Sequence, residues 1–63
     1  MNQYDIDGII YEAKNEYDAT KKAYRMAERV NMVRYLGEDK WNYSVRFSHG
    51  NATVLVVRLY PIG

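Results

Sequence analysis

The sequence predicts an α+β domain in which one amphipathic helix packs on a three-stranded, mainly antiparallel sheet, in the order β-α-β-β. Three observations indicate this fold: helical periodicity in the middle of the chain, two later segments of alternating apolar and polar residues, and a short apolar segment near the start. A chain of 63 residues has room for one domain, and no linker or repeat interrupts it. We therefore expect a single domain over residues 1–63.

The first predicted element is a strand over about residues 3–14. Tyr4, Ile6 and Ile10 share one parity and Tyr11 has the other. Gly8 interrupts the pattern, which favours a β-bulge at that position.

The second predicted element is a helix over about residues 16–36. Asn15 is a suitable N-cap, and Glu16 and Asp18 place negative charge in the first turn. The predicted core-facing stripe has helical spacing and consists of Ala19, Ala23, Met26, Ala27, Val30 and Val33. Gly37 is the predicted residue just after the helix.

The last two predicted elements form a hairpin of strands at about 40–48 and about 52–60. Trp41, Tyr43, Val45 and Phe47 alternate with polar residues, and His49-Gly50-Asn51 is the predicted loop. A three-residue loop would pair Tyr43 with Val57 and Trp41 with Leu59, which places Trp41 in the core. The alternative is that Trp41 is an exposed binding anchor.

Composition argues against most enzyme classes. The chain has nine Lys and Arg, eight Asp and Glu, no Cys and a single histidine, His49, which is predicted at an exposed hairpin tip. Without Cys there is no disulfide or thiolate metal site, and no glycine-rich phosphate loop is present. We expect no enzymatic activity, cofactor, metal site or small-molecule substrate. The lack of a signal-peptide pattern or a long apolar segment predicts a cytoplasmic protein without membrane contact.

The predicted sheet has one face that a single helix cannot cover. In the predicted register this exposed face carries an apolar patch next to arginines, which is typical of a protein interface. The predicted partner-binding residues are Tyr11, Arg46, Val54, Val56, Arg58 and Tyr60. The expected function is a small binding module that occupies a protein partner's surface, or associates with a second copy as a homodimer. An ordinary sheet with two apolar faces is the alternative.

A second surface supports an alternative function. Lys21, Lys22, Arg25 and Arg29 fall on one side of the predicted helix, opposite the alanine stripe. Such a cluster could contact the phosphates of a nucleic acid. The other interpretation is an ordinary solvated helix face, because nucleic-acid-binding domains are usually more basic than this chain.

The segment from Ile9 to Ala23, an apolar segment leading directly into an Ala- and Lys-containing helix, is followed by a tight hairpin. In this layout the chain resembles small phage-encoded accessory proteins, among them anti-CRISPR inhibitors with one helix on a short antiparallel sheet. The resemblance implies a protein that inhibits by covering a partner's surface. It rests on no diagnostic motif and identifies no functional residue.

Overall fold

The computed structural model describes residues 1–59, which form five strands and one helix. In chain order these elements are β1 (Asn2–Ile6), β2 (Ile9–Ala13), α1 (Glu16–Ala23), β3 (Arg29–Gly37), β4 (Lys40–Phe47) and β5 (Gly50–Leu59). The strands form one sheet in the order β2-β1-β5-β4-β3, and all neighbours are antiparallel. The α+β class is confirmed, but the three-stranded β-α-β-β prediction is wrong.

The N-terminal segment is a hairpin rather than one strand over residues 3–14. Ile6 pairs with Ile9, and Asp7 and Gly8 form the two-residue turn between them with φ of 55° and 83°. Two left-handed residues in a two-residue loop match the twist of the flanking strands. The Asp5 side chain also accepts a hydrogen bond from the Gly8 N–H at 3.0 Å. The glycine therefore makes a turn, not a bulge.

The helix begins where the sequence predicts and ends much earlier. The Asn15 side chain accepts a hydrogen bond from the Asp18 N–H at 2.8 Å, which confirms the N-cap. The helix ends at Ala23, whereas the prediction extended it to about residue 36. Residues 29–37 form β3 because most of them pair with β4, and this tertiary pairing outweighs their helical spacing.

The hairpin of β4 and β5 has a shorter loop than predicted. Ser48 and His49 form the loop and Phe47 pairs with Gly50, so Tyr43 pairs with Val54 and Trp41 with Val56. The predicted pairing is wrong by three residues along β5. A shift by an odd number of residues exchanges the two faces of a strand.

The core lies between α1 and one face of the sheet, which we call the inner face. Its buried residues are Tyr4, Ile6, Ala13, Ala19, Thr20, Val30, Tyr43, Val45, Val54 and Val56. Trp41 lies on this face, half-buried, with its ring 6.3 Å from that of Tyr4 and 5.4 Å from that of Tyr35. Its predicted packing against the inner face is therefore confirmed, whereas its predicted partner Leu59 is not.

Tyr43 is a buried polar side chain of this core. It is 2% exposed and its ring lies 6.5 Å from that of Tyr17 on the helix. Burial, then the charge of Glu16 and a hydrogen bond to that carboxylate, raise the pKa of Tyr43 to about 12. The phenol thus links β4 to the first turn of α1.

No helix within residues 1–59 is long and apolar enough to cross a membrane.

Candidate functional site

The face of the sheet opposite α1, which we call the outer face, has no covering element among the described residues. Its apolar side chains lie along the central strand: Leu55 is 47% exposed, and Val57 and Leu59 are half-buried. The cations Arg34 and Arg46 flank them on β3 and β4. The outer face thus combines an apolar centre with a positively charged side.

The most apolar exposed segment is the outermost strand β3. Four of its large side chains, which we call the β3 edge, are about half exposed: Met32 and Val33 at 55%, Tyr35 at 54% and Leu36 at 44%. Within residues 1–59, strand β3 pairs only with β4 and has nine residues, so in this part of the chain its other side presents unpaired backbone groups. Exposed apolar edge strands promote association with another strand unless a partner covers them. Register irregularities at Val33 and Leu36 interrupt the ladder with β4.

Two of the predicted partner-binding residues belong to the core. Val54 is 7% exposed and Val56 is fully buried, so the predicted exposure of both residues is wrong. The pairing shift in β5 turns these valines to the inner face and brings Leu55 and Val57 to the outer face instead. The apolar centre of the outer face therefore consists of side chains other than the predicted ones.

The other predicted partner-binding residues are distributed over both faces. Arg46 is exposed on the outer face, as predicted. Tyr11 is half-buried against the core, and Arg58 pairs with Tyr4 on the inner face. The Arg58 N–H also donates to the carbonyl of Asp39 at 2.8 Å, in the turn between β3 and β4. Tyr60 lies outside the described residues.

A second surface feature is a groove of about 290 Å³ between the end of α1 and the start of β3, which we call the basic groove. It is lined by Tyr17, Lys21, Tyr24, Arg25, Ala27, Glu28, Arg29, Val30 and Asn31. The chain enters it after the helix cap at Tyr24 and leaves it where the Glu28 N–H donates to the carbonyl of Arg46 at 2.8 Å.

The structure brings together three of the four cations predicted to contact nucleic acid. Lys21, Arg25 and Arg29 line the basic groove, although Arg29 belongs to a strand and not to the predicted helix. Lys22 does not line the groove, because its ammonium donates a hydrogen bond to the carbonyl of Glu12. The Lys21 ammonium lies 5.4 Å from the centre of the Tyr17 ring, within cation–π range.

The Tyr24 phenol contacts the first hairpin of the chain. Its hydroxyl donates a hydrogen bond to the carboxylate of Asp7 in the turn between β1 and β2. Burial is the largest influence on this phenol, and with the Asp7 hydrogen bond and charge it raises the pKa of Tyr24 to about 12. The ring also packs edge-on against Phe47 at 6.2 Å. The wall of the groove formed by Tyr24 is thus fixed from two sides.

The histidine predicted at a hairpin tip does lie in the loop between β4 and β5. The His49 ring is stacked on Phe47 at a centroid distance of 6.0 Å. Among residues 1–59 no three His, Cys, Asp or Glu side chains lie close enough together to hold a metal ion.

Comparisons with protein-family models, curated proteins and solved structures found no match to this chain. The functional argument therefore rests on geometry and chemistry. Sequence reasoning missed the β3 edge, because these residues were assigned to the helix. The signal was present in the β-branched and aromatic residues of that segment, which favour a strand.

Proposed function

We propose that this protein is a small non-enzymatic binding module that acts by occupying the surface of a protein partner. The β3 edge carries the proposal. Met32, Val33, Tyr35 and Leu36 expose large apolar side chains within five residues of an edge strand that is unpaired on one side in the described part of the chain. Exposure of this much apolar surface to water is unfavourable in free energy, and a partner that buries the surface would remove this unfavourable term.

The binding mode that this geometry supports is strand addition. An extended segment of the partner would pair its backbone with the free side of β3, while the side chains of the edge supply specificity. Tyr35 is a suitable anchor, since its ring already rests on Trp41 at 5.4 Å and loses little conformational freedom on binding. Arg34 lies within the same strand and Arg46 on the next, which favours a partner with acidic groups beside its apolar surface.

Covering a surface would be sufficient for an inhibitor or adaptor. A module of 63 residues acts in this way when its edge or face occupies a site that another molecule needs. The resemblance to small phage-encoded inhibitors agrees with this mode of action and stays a prediction. A second copy of the chain is one admissible partner, because two β3 edges could pair antiparallel about a twofold axis.

A charge placed at the edge tests the proposal. The double variant Val33→Lys/Leu36→Lys puts two lysines at exposed positions of the edge strand β3, and edge lysines oppose strand addition. Met26→Lys is the matched control: it makes the same kind of change at a methionine that is 88% exposed outside any strand. Circular dichroism and thermal melting establish that both variants fold.

Association is measured in two ways, by sedimentation over a concentration series and by crosslinking in cells through a photoreactive residue at position 33. With the original sequence and with Met26→Lys we expect either a dimer or a discrete crosslinked protein adduct. In the Val33→Lys/Leu36→Lys variant we expect the affinity of this association to fall by at least about tenfold. A protein that stays monomeric and gives no discrete adduct would contradict the proposal. So would an association that the lysine pair leaves unchanged.

A further inference from the structure

The basic groove carries an excess of positive charge. Among the described residues, Arg25 and Arg29 make no ion pair or side-chain hydrogen bond, although the chain has eight Asp and Glu. The Lys21 ammonium lies over the ring of Tyr17. Glu28 is the one acidic residue of the lining, against three cations. An excess of unpaired cations around a concave surface is a favourable site for an anion.

The two arginines of the groove are suited to a phosphate. Arg25 and Arg29 both line the groove. The planar guanidinium is the side chain best suited to hold a phosphate through two hydrogen bonds.

Aromatic surface lies beside these cations. The Tyr17 ring is 41% exposed and forms part of the lining, together with the more buried ring of Tyr24. Exposed rings next to arginines are the combination with which proteins stack unpaired bases while they hold the backbone phosphates. A volume of about 290 Å³ is at the small end of ligand sites and suits one nucleotide rather than a duplex.

We propose that the basic groove binds a nucleotide, with its phosphate on Arg25 and Arg29 and its base against the exposed ring of Tyr17. Lys21 would move from the Tyr17 ring towards the phosphate or the base. The nucleotide is either free or one unit of a single strand, and both sources present the same phosphate and base. The groove shares no residue with the β3 edge, so this site is separate from the proposed function.

Fluorescence anisotropy with labelled single-stranded oligothymidine and oligouridine tests the groove, and adenosine monophosphate serves as unlabelled competitor. If the groove neutralises one phosphate, the logarithm of the affinity should fall with the logarithm of salt concentration with a slope of about −0.7. Arg25→Gln/Arg29→Gln should bring the slope close to zero and weaken binding at least about tenfold. Arg34→Gln/Lys40→Gln is the matched control, because it removes two cations from the outer face.

Chemical shifts of the backbone amides locate the site independently. We expect nucleotide-dependent shifts confined to about residues 17–31. If both the monophosphate and the oligonucleotide produce them, the ligand is a free nucleotide; if only the oligonucleotide does, the ligand is a single strand. Equal losses of affinity in Arg25→Gln/Arg29→Gln and in Arg34→Gln/Lys40→Gln would overturn the proposal, since they indicate diffuse attraction of the nucleic acid to the whole protein. Absence of shifts in the groove would also overturn it.

Discussion

The buried phenol of Tyr43 makes the stability of the fold sensitive to alkaline pH. In the folded state its pKa is raised to about 12, whereas an unfolded chain releases the proton near pH 10. The folded state therefore holds the proton over an interval in which the unfolded state has lost it. Stability is unaffected below pH 10 and falls as the pH rises from 10 to 12. The contribution of Tyr43 to this loss is about 1.4 kcal/mol at pH 11 and at most about 2.7 kcal/mol above pH 12.

This loss is large for a domain of this size, whose total stability is about 3–5 kcal/mol. Urea unfolding followed by Trp41 fluorescence, at about pH 8 and about pH 11, measures it. Tyr43→Phe is the control: it gives up the hydrogen bond to Glu16, at a cost of about 1 kcal/mol at neutral pH. Its stability should then fall by about 1.4 kcal/mol less than that of the original sequence between the two pH values. An identical fall in both proteins would refute the argument that Tyr43 is buried and neutral.

Three further predictions concern turns and strand register, and urea or thermal unfolding checks each of them. Gly8→Ala should cost about 1–2 kcal/mol because φ is 83° there, while Gly8→Asn should cost clearly less, since Asn tolerates this conformation; equal costs would contradict a left-handed turn. Glu38→Asn should stabilise the fold by about 0.5–1 kcal/mol, because Glu38 has a φ of 55° and its exposed ion pair contributes little; a destabilised variant would count against this turn. Val56→Ala should cost about 2–3 kcal/mol and Leu55→Ala less than about 1 kcal/mol, and the reverse order would show that the β5 register is wrong.

The parts of the fold that could be predicted are those in which one local pattern has one physical interpretation. The alternation of Trp41, Tyr43, Val45 and Phe47 identified β4 and its inner face. Asn15 identified the start of the helix, since its side chain caps the first turn. In both cases local chemistry and the final packing favour the same structure.

The register of β5 could not be predicted from its own residues. Val54 and Val56 have one parity and Leu55 and Val57 have the other, so both faces of the strand are apolar. The sequence of such a strand does not indicate which of its faces is buried. The length of the hairpin loop sets the register and therefore the buried face. The structure uses a two-residue loop at Ser48 and His49, and the faces are exchanged.

The predictions of the helix end and of the first hairpin were wrong for different reasons. The spacing of Ala27, Val30 and Val33 fits a helical stripe, but in the structure Val30 and Val33 belong to a strand that pairs with β4 in a hairpin. For the hairpin the signal was local: Asp-Gly between apolar residues is a strong indication of a two-residue turn, and it was interpreted as a bulge. The basic groove depends on the end of the helix, since it forms where the shortened helix meets β3.

The strand order has a consequence for how the chain reaches its fold. β5 is the last strand in chain order, yet it occupies the middle of the sheet and joins the β1–β2 hairpin to the β3–β4 hairpin. During synthesis the two hairpins emerge first, and each exposes an edge that only β5 can pair. The pairing of Gln3 with Leu59 brings together residues near the two ends of the described chain, so the loop that it closes contains almost all of that chain. We therefore expect folding in a single late step, slow for a domain this short, with both hairpins vulnerable to proteases and to mispairing until β5 is in place.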